Sequence, residues 1–333
     1  MDTAHSHTVL RFAFGVTLAF VVAELMEWTP PFLSPVLTCV VLANIPMRPP
    51  IKVALGFCLV IGVSAFLGLF LCYAFRGAPH LLFGLSTLIV FLALHALAKG
   101  ASKLGPLFIL VCVTAIPVVG MQSLAVAQHF AVAFASGACF AIFMAWVSWL
   151  VFPKSLPPRA APAAASLPPG IALRSALLGT AILAPLMLTY LMFGLYTALP
   201  VMVGTVMIVA SLDFHLGRKQ AMLRVVANFA GGVASVVVLL LLAIHPTLAT
   251  FTLLVLASAL LFGLRISHGD PMAQLLVVAC NGYLIVFGTS LHSDAATLSV
   301  WLTRLNYFFL AGLFTVGMMV LIWPREPKLE GSP

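Results

Sequence analysis

Apolar runs of about twenty residues, almost free of charge, follow one another from end to end of this chain. A helix of that length crosses a hydrocarbon core of roughly 30 Å at about 1.5 Å per residue. Strands of a membrane barrel would alternate inward and outward over about ten residues. A segment such as Val236 to Ile244 is instead apolar on every side. Lipid offers the backbone no hydrogen-bond partners, so these runs are expected to be helices that satisfy themselves. Twelve spans are predicted, at 9–27, 31–46, 51–75, 80–98, 104–121, 124–152, 171–191, 194–212, 220–243, 247–264, 272–290 and 297–323. The first span carries Glu24 and Glu27 and lacks a clear small-residue cleavage site, so it is not expected to be a removable signal peptide.

The pattern repeats. Leu150-Val151-Phe152-Pro153-Lys154 and Leu321-Ile322-Trp323-Pro324-Arg325 each close an apolar run with an aromatic, a proline and a cation. Pro35 precedes Pro106 by 71 residues, and Pro200 precedes Pro271 by 71. Arg11 and Arg174 stand 24 and 26 residues before Pro35 and Pro200. The expected fold is therefore an all-α polytopic membrane protein of about twelve transmembrane helices, built as two parallel six-helix repeats. The first repeat covers 1–152 and the second 171–323. A Pro/Ala-rich linker, 153–170, joins them, and a tail follows at 324–333. Six is even, so both repeats enter from the same side and are related by an axis along the membrane normal. Such a pair leaves a binding site or pathway between its halves.

Composition agrees: 63% of residues are hydrophobic and only 7% are charged, too few to cover a soluble domain of 333 residues. The charges that remain give a direction. Arg48 and Lys52, Lys99 and Lys103, Lys154 and Arg159, the group Arg218, Lys219 and Arg224, then Arg265, and finally Arg325 and Lys328 fall in alternate loops. The other loops hold only Arg76, with Arg304 inside or near the start of the last span. By the positive-inside rule both termini and the linker are cytoplasmic. The net charge of +8 is then a topology signal, and no nucleic-acid partner is expected because the basic residues are not gathered on one face. Six cysteines lie singly in spans, which supports neither a disulfide framework nor a metal site.

No phosphate-binding loop and no catalytic cluster is visible, so neither a cofactor nor an enzyme is expected. The candidates are polar groups at membrane depth. Arg11 and Arg174 offer two guanidiniums to an anionic substrate, or serve as anchors snorkelling to the interface. Glu24 is a candidate for proton coupling, or an acid solvated from outside beside Trp28, the reading preferred for Glu27. Asp213 gates the cytoplasmic side against Arg218 or Arg224, or is a solvated loop acid. His95, Asn228, Gln274 and Asn281 line a pathway or tie helices together. Arg224, Asn228 and Gly232 form one stripe at spacing four, whose first-half counterpart, Leu55, Leu59 and Val63, is apolar. Pro35 and Pro200 are hinge candidates at matched depth. Gly62, Gly68, Gly231 and Gly232 suit close helix approach.

These features resemble one known family. A first span with a basic residue at its inner end, a short second span with proline, a basic loop and a glycine-bearing third span are repeated as a second block. Gln220 to Arg224 through Gly231-Gly232 is the best local match. The arrangement resembles the fusaric-acid-resistance and aromatic-acid-exporter superfamily of bacterial inner-membrane proteins. The resemblance implies proton-driven export of small aromatic or other organic acids, the bilayer as setting, and a periplasmic membrane-fusion adaptor as partner. It carries over Arg224 as the third-span basic residue, and a homo-oligomer stays open. A passive anion channel of the same architecture and a non-transporting scaffold of an efflux assembly are the alternatives.

Overall fold

The computed structural model describes residues 3–45, 47–101, 104–154, 167–194, 214–267 and 273–291, with scattered helical positions between 202 and 210 and between 299 and 321. The described residues are helical apart from turns and connections, and none is in a strand. The continuous helices are α1 (Thr3–Leu25), α2 (Leu33–Asn44), α3 (Ile51–Phe75), α4 (Pro79–Ala98), α5 (Leu104–Gln122), α6 (Leu124–Val151), α7 (Pro169–Phe193), α8 (Phe214–Ile244), α9 (Leu248–Ser267) and α10 (Ala273–Leu291). Eight segments are long and apolar enough to cross a membrane: α1, α3 to α7, residues Val225–Ile244 of α8, and α9. The chain is a multi-pass membrane protein. The predicted spans at 194–212 and 297–323 meet only scattered described positions, so the count of twelve lies partly outside the described residues.

Three predicted spans come out differently, the first because α1 already starts at Thr3. The second is a helix of 12 residues, about 18 Å long, and does not cross a bilayer by itself. Prolines explain its length. Pro30 and Pro31 precede it and Pro49 and Pro50 follow it, and a residue before proline is pushed out of the helical region. Ile45, which precedes Pro46, is accordingly extended, and Pro50, before α3, is extended as well. Trp146 donates its indole N–H to the Pro49 carbonyl at 3.0 Å, which satisfies one acceptor of this non-helical stretch. The ninth span starts early, at Phe214, so Arg218 and Lys219 are helical rather than in a loop.

The bundle has two recognisable ends. At one, Arg11 of α1 reaches the carbonyls beyond α6, His5 of α1 meets Ser267 of α9 at 3.4 Å, and the Leu167 N–H donates to Ala98 at the end of α4. This is called the Lys154 end. At the other, Arg76 after α3 donates to the Met121 carbonyl, and Gln122 of α5 donates to the Gly194 carbonyl after α7 at 2.6 Å. This is the Gln122 end.

Packing follows a recurrent scheme. α3 lies along α5, and α8 along α10. Each pair closes on a glycine. A Cβ on Gly68 would stand 2.7 Å from the Cys112 carbonyl oxygen, and one on Gly231 would meet the Ala279 carbonyl and, at 2.8 Å, the Tyr283 nitrogen. Gly62 has nothing within 4 Å, so close approach is not its role. α1 packs on α9, and α7 packs on α4. The first seam is filled by rings: Phe20 meets Phe251 and Phe287 edge-on at 5.3 and 5.7 Å, and Phe287 stacks on both Phe251 and Tyr283. In lipid no hydrophobic transfer from water drives this contact, so the seam is stabilised by packing and by the ring geometry itself, about 0.5–1.5 kcal/mol for each well-placed aromatic pair.

Candidate functional site

The two arginines that the repeat pairs have different surroundings. Arg11 is buried at 3% exposure. Its guanidinium lies 3.4 Å from the Trp149 ring centroid, and Nη1 donates to the carbonyls of Phe152 at 3.3 Å and Lys154 at 3.2 Å. Those carbonyls close α6, where unsatisfied acceptors and the negative end of the helix dipole favour a cation. Arg11 therefore neither snorkels nor faces open space: Nη1 is taken up by the carbonyls just beyond α6, Nη2 donates to the Thr8 hydroxyl of α1 at 3.5 Å, and the flat face lies on Trp149 of α6. Arg174, on the second turn of α7, is exposed. The Arg224 side chain, Asp213 and Pro200 lie outside the described residues.

Asn228 is half-buried on α8, against α10. A Cβ on Gly282 would stand 2.8 Å from its Oδ1, so a larger residue at 282 would displace it. The amide thus sits in a helix seam one turn from the Gly231 crossing. Glu24 is half-buried in the last turn of α1, and Glu27 just beyond it is exposed. Pro35 occupies the first turn of α2. A missing N–H there costs no intrahelical bond, so Pro35 starts a helix and does not hinge one. Pro117 in α5 and Pro185 in α7 are the prolines with helix on both sides.

His95 stands in the last turn of α4, stacked on Phe91 with ring centroids 5.9 Å apart and planes at 10°. Thr87, Phe91 and His95 share one face of α4, four residues apart. Among the described residues nothing lies in hydrogen-bond reach of buried Thr87 Oγ1 or His95 Nδ1. Thr87 and Val90 line a narrow crevice with Leu183, Ala184 and Met187 of α7, beside Pro185. The seam between α4 and α7 differs from its counterpart between α1 and α9 in its proline-bearing helix and in lacking the ring cluster, while buried polar atoms occur in both, Thr87 Oγ1 in the first and the Tyr283 hydroxyl in the second. Among the described residues no three His, Cys, Asp or Glu side chains gather to hold a metal ion.

Sequence reasoning passed over Trp149 and the ring cluster around Phe287. An aromatic every few residues is ordinary in such a chain, and pairing across the two halves leaves no periodic trace.

Residues 8–148 match the model of a protein family of unknown function, DUF2955. The match begins in α1 and ends in α6, so it covers the first six helices. No curated protein and no solved structure matches the chain.

Proposed function

We propose that this protein is an inner-membrane transporter that exports small organic acids, driven by the proton gradient, through a pathway between two six-helix halves. The observation that carries the proposal is the exchange of helices between halves. α1 of the first half packs on α9 of the second, and α7 of the second packs on α4 of the first. These are corresponding helices under a shift of six spans, as are the glycine crossings of α3 on α5 and α8 on α10. Parallel repeats related by an axis along the membrane normal recur in secondary transporters, which supports this reading. The family match ending within α6 is in keeping with a first unit of six helices.

In this reading the Lys154 end is cytoplasmic. Arg174 and Arg224 recruit the anion there, while Arg11 holds α6 in place behind them. His95, on the α4 face that carries Thr87, and Glu24 are the proton-coupling candidates. The aromatic seam is the fixed contact between the halves, and the α4–α7 seam is the one that moves.

Proteoliposomes holding the purified protein and a radiolabelled hydroxybenzoate test this. Accumulation that requires an imposed pH gradient, and falls at least tenfold in the Arg174→Gln/Arg224→Gln double variant, is expected. Flux that only equilibrates, with or without the gradient, would make the protein a channel. The absence of any flux across a panel of aromatic acids would leave a scaffold.

A further inference from the structure

A cleft of about 430 Å³ opens between α8 and the last apolar stretch of the chain. Val225, Val226 and Phe229 line one side, and Asn306 and Phe309 line the other. That volume suits a small organic ligand, whose sites run from roughly 300 to 1,000 Å³. Val226, Phe229 and Phe309 are each about half exposed, so the cleft is open to its surroundings. Both walls belong to apolar runs, and those surroundings are lipid.

The first half treats the same place differently. The glycine crossings set Gly68 of α3 against Gly231 of α8. In that register Gly62, Val63 and Phe66 correspond to Val225, Val226 and Phe229. It replaces the sequence pairing of Val63 with Gly232. The valine and the phenylalanine are common to both copies. On α3 this face lies open: Val63 and Phe66 are 57% and 51% exposed, and a Cβ on Gly62 would meet nothing within 4 Å. The opposite wall is what changes. The closing phrases stand 171 residues apart, Leu150 against Leu321, and by that offset Ala135 and Ala138 of α6 correspond to Asn306 and Phe309. Ala138 is wholly buried in the packing of α6 with α2 and α3. Phe309 is 56% exposed and lines the cleft. A ring and an amide thus stand where the first half has two methyl groups, and they turn an open face into a walled one.

The chemistry of the second wall selects the occupant. Lipid tails already cover the α3 face, which has no polar group, so tails alone give no reason for an amide here. An amide turned to hydrocarbon leaves strong donors and an acceptor without partners, a costly state that a bound polar group relieves. The Asn306 amide can both donate to and accept from a carboxyl or an ester, and Phe229 and Phe309 suit a flat ring. Among the described residues the lining carries no charge, which disfavours a carboxylate in this position.

We infer that this cleft binds a neutral single-ring aromatic molecule taken from the lipid, its ring between Phe229 and Phe309 and its hydrogen-bonding group on the Asn306 amide. The inference rests on the aromatic substrate of the proposed function and names its form there, the acid with its carboxyl protonated. Direct binding tests it without any transport readout. Purified protein in lipid nanodiscs is titrated with tritiated methyl 4-hydroxybenzoate, with empty nanodiscs as the blank. Saturable binding is expected, weakened at least tenfold by Asn306→Ala, which restores the residue of the first half, and by Val226→Trp, which fills the cleft. Unlabelled 4-hydroxybenzoic acid should compete better as the pH is lowered and its neutral form grows. Binding no greater than that of empty nanodiscs would overturn the site. So would binding lost in Val226→Trp but unchanged in Asn306→Ala, the pattern of a groove for lipid tails. Should Val226→Trp fail to fold, Phe309→Ala takes its place, with the same loss expected. Saturable binding without acid transport would sink the exporter and leave the cleft standing; acid transport without this binding would do the reverse.

Discussion

Replacing Arg11 by lysine keeps a charge and loses a plane. The guanidinium reaches two carbonyls beyond α6 while lying flat on Trp149, and an ammonium cannot do both. Arg11→Lys is expected to cost about 1–3 kcal/mol, since a charged hydrogen bond and a desolvated cation–π contact are both weakened. In detergent this would lower the unfolding midpoint by several degrees, read by intrinsic fluorescence during heating. Trp149→Phe keeps a weaker aromatic face and should cost less than Trp149→Leu, which keeps none. A drop equal for all three would mean that stacking contributes nothing. The position of Arg11 near a span end was legible in the sequence, but its partners were not. They lie on α6 and just past its end, with four helices intervening, and two of them are backbone carbonyls, which carry no residue signature. Glu27, just past α1, takes the left-handed conformation at φ 53° and was equally hidden, because nothing in its identity announces a conformation that glycine usually takes.

Helix limits were far more legible, because they depend on length of apolar run and on prolines. α3, α5 and α6 occupy the predicted stretches to within a residue at each end. α2 was misjudged because an apolar run was counted as a span although prolines fence it at both sides. What an apolar run cannot reveal is which of its glycines faces a neighbour. Gly68 and Gly231 admit a backbone where a methyl group would collide with a carbonyl, and a backbone cannot move aside as a long side chain can. Gly68→Ala and Gly231→Ala are therefore expected to destabilise by about 2 kcal/mol or more through forced separation of the helices. Gly62→Ala meets open space, and should be neutral or stabilising by up to about 1 kcal/mol through helix propensity. Folded yield and melting midpoint of the three variants in detergent separate the cases. Equal tolerance of all three would show that the crossings are looser than the geometry requires.

For the whole molecule, orientation comes from parity, and parity is insensitive to how deep α1 and α2 go. The pair enters and leaves at the Lys154 end: Arg11 is beside Lys154, and Pro49 is held by Trp146 in the last turns of α6. α3 then carries the chain to the Gln122 end at Arg76, α4 back to Ala98, α5 out to Gln122, and α6 home to Phe152. The basic loops follow the same order. Arg48, Lys52, Lys99 and Lys154 lie toward the first end, and the lone exception, Arg76, lies at the second. Truncations in a bacterial host, fused to alkaline phosphatase or to green fluorescent protein, test the orientation. Phosphatase should be active after Gly77 and Ser123, where it is carried outside, and inactive after Lys99 and Lys154. Fluorescence should show the reverse. Active phosphatase after Lys154 would turn the molecule over. Arg174 would then face the outside, where it could not recruit an acid for export.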